Sequence, residues 1–418
     1  MRVVKFGGSS VADVARMRHV AAIVAELRAQ GPVAVVVSAM AGVTDALIRA
    51  GQSAIAGDSR LPELLEALAL RHYEAWAAFD CGAPAALDRV WAGVTHDAHT
   101  LARRSVGLDE SARERLVARF SGWGERLEVG LLAAALREAG LIAEAFDEAP
   151  VALSGAATAD GEPEPSTLAT RARLLPPLAM LVMRGGVPVL PGYIALGTSG
   201  ALTTLGRNGS DHSAAVIAAA LGAERLTIYS DVPGMLTADP RIAPEARLLP
   251  LLTYDEAQRM ASLGAKALHP RTIEPVARWG IPLELRSSLT PHAPGTDILP
   301  GTALPWRRSR EAAWIVASRP APRDTSGANM LTEVTAAWLP AWPLDGEESE
   351  PCGCVEQALA GHKLGELPLR SVERTRDGAR LLIDAAHAGE AIRQLHAVLA
   401  TCPATHGLVE AAALASGA

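Results

Sequence analysis

Val3-Val4-Lys5-Phe6-Gly7-Gly8-Ser9-Ser10-Val11 stands at the start of the chain and organises the reading of the rest. Residues 2–6 form a largely apolar run of strand length with Lys5 one residue before its end. A loop of two glycines and two serines follows, and Val14 to Gln30 then has helical periodicity up to Gly31-Pro32. The next run, Val33-Ala34-Val35-Val36-Val37, is a second short apolar strand. Strand, crossover helix, strand makes the two strands parallel and buried on both faces. Glycines between a strand and a helix let backbone N–H groups approach a phosphate, and the helix N-terminus adds its positive end. The loop lacks the G-x-x-x-x-G-K-[ST] pattern, so it is not a P-loop. Taken alone it is a weak signal and reads more readily as an ordinary tight turn.

Further along, residues 60–140 read as helices with Leu, Ala and Trp at three- and four-residue spacing, packed at one end of the sheet. Val187 to Leu190 reads as a strand before a glycine-rich hairpin, and Ser213 to Gly222 as a helix. Leu226 to Tyr229 and Ile281 to Leu285 read as strands, and Tyr254 to Leu263 and Pro270 to Trp279 as helices. The expected class is α/β: a three-layer α/β/α sandwich with a mainly parallel sheet over residues 1–300. Prolines and glycines cluster between Pro291 and Pro305. Beyond them Ala313 to Val316 is a strand, and from Leu331 the order is β-α-β-β-α-β. Its elements are Leu331 to Leu339, Val355 to Leu364, Leu367 to Glu373, Ala379 to Ile383, Ala388 to Leu399 and a strand near Leu408. That is the order of a small ferredoxin-like α+β domain over residues 310–418.

At 418 residues the chain is too long for one ordinary core, which also favours two domains. Net charge is −7, so no electrostatic footprint for nucleic acid is expected. No apolar run approaches 18 residues, and the N-terminus has neither an n-region nor an h-region, so neither a membrane span nor a leader is expected. Four scattered cysteines do not make a disulfide framework, and a cytoplasmic location is expected. Cys352-Gly353-Cys354 has no second pair at ligand spacing, so no metal site is assigned.

Three lysines occur beside thirty-six arginines, and two of the three sit in glycine-bearing motifs. A compact ammonium suits contact with a phosphoryl oxygen where a planar fork does not fit. Lys5 leads the first motif and Lys266 lies in Gly264-Ala265-Lys266-Ala267-Leu268-His269-Pro270. Between them stand Leu205-Gly206-Arg207-Asn208-Gly209-Ser210-Asp211, Tyr229-Ser230-Asp231-Val232-Pro233-Gly234 and Asp239-Pro240-Arg241. Together these resemble the aspartate kinases of the amino-acid kinase superfamily, strongly over about 1–50 and 185–300 and more weakly around Trp123-Gly124-Glu125-Arg126-Leu127. The resemblance implies ATP-dependent phosphorylation of the β-carboxylate of L-aspartate, with Mg²⁺, followed by ACT modules.

It also implies roles. Lys5 contacts the transferring phosphoryl group, cradled by Gly7, Gly8 and Ser9, and Asp211 orients Lys5. Ser38, Thr44 and Tyr193 line the amino-acid site, where Glu125 receives the substrate ammonium and Arg207 its α-carboxylate. Ser230, Asp231, Asp239, Arg241 and Lys266 hold the nucleotide. An aspartate carboxylate is ionised at neutral pH, with a reference pKa of about 3.9, so no catalytic histidine is expected. The difficulty is bringing it to an anionic γ-phosphate, which calls for cations and N–H donors.

The chain departs from the resemblance at Ser230 for Thr, Leu236 for Tyr and His212 for Tyr. Glu128 competes with Glu125 for the ammonium role, and Arg126 reads equally as a surface charge. About 110 residues follow the linker, enough for one ACT-like module rather than the usual two. A single module is expected to serve as a homodimer interface. Two alternatives stay open: a kinase of this fold acting on an aspartate analogue, and a degenerate kinase acting as a sensor or scaffold. No appended Rossmann domain, hence no fused dehydrogenase, is expected.

Overall fold

The computed structural model describes residues 1–79, 84–157, 163–206, 208–265, 267–301, 313–320, 331–339, 367, 369–375 and 378–400. The chain begins β1 (Arg2–Phe6), α1 (Val14–Gln30), β2 (Val33–Val37), α2 (Val43–Ala56), α3 (Leu61–Ala77) and α4 (Ala85–Arg104). It continues α5 (Glu110–Ser121), α6 (Trp123–Glu138), β3 (Ala143–Ala145), β4 (Val151–Ala157), β5 (Pro163–Pro165) and α7 (Thr167–Met183). Then come β6 (Val187–Pro191), β7 (Ile194–Leu196), β8 (Leu202–Thr204), α8 (Gly209–Leu221) and β9 (Arg225–Ser230). After these lie β10 (Leu251–Thr253), α9 (Tyr254–Ser262), α10 (Pro270–Arg278), β11 (Leu283–Ser287) and β12 (Thr296–Leu299). The last elements are β13 (Ala313–Pro320), β14 (Leu331–Leu339), β15 (Leu369–Thr375), β16 (Gly378–Asp384) and α11 (Ala388–Ala400). Chain contacts group these into two units, residues 1–232 with 274–293, and residues 233–273 with 294–418.

In the first unit the strands run β11-β9-β1-β2-β6-β3, every pair parallel. All five residues of β2 are buried, as a sheet covered on both faces requires. Each such valine contributes about 1.5–3 kcal/mol when fully buried. Strand parity sorts the faces. Val4 and Phe6 of β1, and Val33, Val35 and Val37 of β2, join the core built with α1 and α6. Lys5 alternates to the other face, where α8 packs on β1 and α7 on α8. Asp13 caps α1 by accepting from Arg16 N at 2.8 Å.

The expected α/β/α sandwich is present, with β1, α1 and β2 at the expected bounds. Helix α8 begins at Gly209, four residues before the expected Ser213, because Asn208 takes a left-handed conformation (φ 56°) just ahead of it. This puts Ser210 and Asp211 inside the first helical turn. β3, β5 and β12 are three or four residues long, too short for a periodic signal. α7 carries Pro176 and Pro177, both exposed, within an otherwise helical run. Prolines normally argue against a helix interior. Here Leu174, Leu178 and Leu181 hold the buried face.

The second unit pairs β10 with β12 in parallel and builds an antiparallel sheet in the order β13-β14-β16-β15. β14, β16 and β15 have the 1-3-2 neighbours of a ferredoxin-like module, with β13 beside β14 and α11 packed on β13 and β14. The expected helix 355–364, the strand near Leu408 and the cysteines at 352 and 354 lie outside the described residues. Thr253 and Glu256 form a capping box at the start of α9.

Candidate active site

β1 is flanked by β2, which follows it in sequence, and by β9, which comes much later. The chain therefore leaves β1 toward one side and returns on the other. A crevice at the carboxyl end of such a strand is where open α/β sheets bind ligands. Lys5 is at that end, with its side chain buried to 9% exposure and its Nζ 2.5 Å from Asp211 Oδ1. Asp211 belongs to the first turn of α8, where the helix dipole favours a carboxylate.

The loop after Lys5 turns back on the sheet. Gly7 N–H donates to Tyr229 O at 3.1 Å, and Gly8–Val11 forms a 3₁₀ turn. A Cβ on Gly8 would meet Ala39 O at 2.6 Å, so a side chain is excluded there. A Cβ on Gly7 would have ordinary clearance but would sit 3.6 Å from Lys5 Nζ. The glycine keeps open the space in front of the ammonium, which is the space an anion needs. Ser9 is half-buried at the mouth. Ser10 Oγ lies 2.7 Å from Ser288 Oγ, and Ser288 N–H and Oγ–H donate to Ser230 O at 2.8 and 3.1 Å. These bonds tie the 3₁₀ turn to the ends of β9 and β11.

Glu125 lies in the first turn of α6 and is 3% exposed. Burial pushes its carboxyl up to about 8, while the Ala39 N–H, the Lys5 charge and the Ser210 hydroxyl act in the opposite direction. Its Oε2 has no hydrogen-bond partner among the described residues. Glu128 is fully buried, neither of its oxygens has such a partner, and burial raises its carboxyl well above the ordinary range. Of the two, Glu125 shares its surroundings with Lys5 and Ser210. Arg126 is not a free surface charge. Its Nε donates to Asp147 O at 2.8 Å and its guanidinium stands 4.0 Å over the Trp123 ring.

Ser38 follows β2, its N–H donating to Phe6 O at 3.1 Å, and Thr44 lies half-buried in the first turn of α2. Tyr193 has φ 62°, an uncommon conformation for a bulky residue, and its hydroxyl is 3.3 Å from Ser121 Oγ. A Cβ at Gly192 would strike Ser210 at 2.7 Å, and one at Gly209 would strike Tyr193 at 2.9 Å. The strained turn is thus locked against the start of α8. Ser230 Oγ both donates to Val232 O (3.1 Å) and accepts from Val232 N–H (3.3 Å), and Asp231 is exposed.

In the second unit Asp239 accepts three bonds from Arg241: backbone N–H at 3.1 Å, Nε at 3.0 Å and Nη2 at 2.9 Å. The Arg241 side chain is 76% exposed. Arg207 and Lys266 lie outside the described residues. Ser210 stood in the glycine-rich motif without an assigned role, and the Ala39 N–H is an addition the sequence did not single out, since a backbone donor carries no signature of its own. Among the described residues no group of three His, Cys, Asp or Glu could hold a metal, and no helix is long and apolar enough to cross a membrane.

A parallel sheet whose central strand carries a lysine ahead of a two-glycine turn, paired with a carboxylate from a helix start, places the chain among the α/β proteins. The chain belongs to the amino acid kinase family, whose model matches residues 1–287. It is 32% identical to aspartokinase 2, chloroplastic, of Arabidopsis thaliana over 71% of the chain and 54% of that protein. It is 34% identical to lysine-sensitive aspartokinase 3 of Escherichia coli over 72% of the chain and 65% of that protein. The chain thus spans little more than half the length of the first of these relatives. The fold is similar to that of E. coli aspartokinase III in complex with aspartate and ADP (R-state). The TM-score is 0.75 at 23% identity, over 96% of this chain and 99% of that one.

Proposed function

We propose that this protein is an ATP-dependent kinase that phosphorylates the β-carboxylate of L-aspartate, giving an acyl phosphate. The observation that carries the reading is the Lys5–Asp211 pair behind the Gly7–Gly8 cradle, with the buried Glu125 beside it. Lys5 supplies the point charge for the transferring phosphoryl group, and Asp211 holds that ammonium in place. Glu125 takes the substrate ammonium, which brings the donor its Oε2 lacks among the described residues together with the positive charge that offsets its burial. Arg207 pairs with the α-carboxylate, and Ser38, Thr44 and Tyr193 line the pocket. Ser230, Asp231, Asp239, Arg241 and Lys266 hold the nucleotide. Mg²⁺ is carried mostly by the nucleotide phosphates, as suits an ion that dehydrates reluctantly.

The same reading assigns residues 1–300 to catalysis and residues 310–418 to an ACT-like regulatory or dimerisation domain in a cytoplasmic homodimer. The attacking carboxylate needs no base, so catalysis rests on positioning and charge. Trapping with hydroxylamine tests it: aspartate, β-substituted aspartates and glutamate are each incubated with the protein and MgATP. Hydroxamate should form with aspartate and not with glutamate. A signal only from a substituted aspartate would assign the analogue as substrate. ATP binding without ADP release for any amino acid would overturn the kinase reading in favour of a sensor.

A further inference from the structure

We infer that Arg71, on α3, is a positioning residue of this site whose guanidinium straps together the two loops forming its mouth. One Nη donates to Ala41 O at 2.9 Å and the other to Ala12 O at 3.0 Å. Ala12 directly follows the 3₁₀ turn that starts at Gly8, and Ala41 lies between Ser38 and Thr44. The inference rests on reading these loops as phosphate cradle and amino-acid pocket. One backbone bond joins them directly, Ala41 N–H to Gly8 O, and at 3.2 Å it is at the long end for an amide. Arg71 adds two charge-assisted bonds, 59 and 30 residues away in sequence, from a support that belongs to neither loop.

That support is rigid. Leu65, Leu68, Ala75 and Trp76 of α3 are buried, and the neighbouring His72 donates from Nδ1 to Leu68 O at 2.6 Å. Burial lowers the His72 imidazole to about 4, so that ring adds no charge beside the guanidinium. The planar fork is what the position requires, because its two nitrogens reach two carbonyls at a fixed separation. A lysine presents one nitrogen and cannot hold that spacing. In phosphoryl transfer a misplacement of about 1 Å can cost on the order of 10²-fold in rate. A strap that sets the distance between cradle and pocket therefore controls the reaction without touching either substrate.

The test compares Arg71→Ala and Arg71→Lys with wild type in the full chain. The measurements are ADP release with ATP and aspartate, and hydrogen exchange of the amides in residues 7–12 and 38–44. Arg71→Ala should lower kcat/KM by about tenfold to a hundredfold, the worth of lost charge-assisted bonds. It should raise KM for both substrates and speed exchange in both loops while leaving the rest of α3 protected. Millimolar guanidinium chloride should restore part of the activity, which a general folding defect would not allow. Arg71→Lys should fall between. Wild-type exchange in both loops, a change confined to one, or kcat/KM within twofold of wild type would overturn the inference. If the alanine variant does not fold, the lysine variant decides by the same exchange criterion. A wild-type protein inactive on aspartate counts against the kinase reading alone, since the exchange comparison still reports the strap.

Discussion

Lys5 and Glu125 face opposite electrostatic demands in one small volume. Lys5→Arg should leave the fold intact and lower kcat by about 10²–10³, the usual cost of losing a preorganised donor, because the larger fork must enter the space kept open by Gly7. Steady-state turnover above about a tenth of wild type would sink that role. Glu125 must be ionised to accept an ammonium, yet burial holds it protonated up to about pH 8. The aspartate KM should therefore fall as pH rises from about 6.5 to 8.5, and Glu125→Gln should raise it and flatten the profile. Stability runs the other way. The buried carboxyls of Glu125 and Glu128 keep protons that the unfolded chain releases near the ordinary 4.5. The folded state binds the extra protons, so the stability is fully present below that pH and is lost as pH rises, through about 8 for Glu125. Glu128→Gln should accordingly raise the Tm at pH 8 more than at pH 5. Equal shifts at both values would show that the Glu128 carboxyl does not titrate differently in the folded chain.

The turn from β1 into its 3₁₀ segment divides its two glycines between two tasks. At Gly8 a methyl group would meet the Ala39 carbonyl at 2.6 Å, and that atom is backbone, so the strand end itself must shift. At Gly7 the backbone (φ −74°) accepts any residue and the nearest atoms stand at ordinary contact distance. Gly7→Ala should therefore melt like wild type and bind ATP more weakly, while Gly8→Ala should lower both the Tm and turnover. Calorimetry beside nucleotide titration separates the two, and matching losses in both variants would contradict this division. The motif announced both glycines alike. Their different neighbours are Lys5, two residues back in the chain, for Gly7, and Ala39, which the pairing of β1 with β2 brings close, for Gly8.

Within the second unit, the segment that carries Asp239 and Arg241 is joined to the C-terminal helix. Thr237 Oγ1 lies 3.0 Å from His396 Nε2 and accepts from Arg247 N–H at 2.9 Å, with the Glu245 carboxylate 3.4 Å from His396 Nδ1. His396 is fully buried, which lowers its imidazole against the opposing pull of Glu245. Deleting residues beyond about 305 would strip this partner from Thr237 and uncover the apolar face of α11's packing site. The truncated chain should aggregate or show a raised ATP KM, and sedimentation of the full chain should show a dimer. A truncated monomer with wild-type ATP affinity would remove the C-terminal segment from nucleotide binding. On the reading of residues 310–418 as a single module, lysine and threonine should inhibit weakly or not at all.

The parallel α/β core was legible from residues 1–40 because burial on both faces forces unbroken apolar strands and a periodic crossover helix. The motif residues were legible because phosphate chemistry restricts what can stand in a cradle. Strands of three or four residues, the proline-bearing α7 and the early start of α8 were not, since each depends on neighbours distant in sequence. The sequence assigned the ammonium role to Glu125 with Glu128 as its competitor, and what surrounds each of them was closed to sequence reading. Both sit in the same helix three residues apart, and only folding sets one beside Lys5 and Ser210 and leaves neither oxygen of the other a hydrogen-bond partner among the described residues. Arg71 is the clearest case: one arginine among thirty-six, distinguished solely by the two carbonyls that the fold brings within its reach.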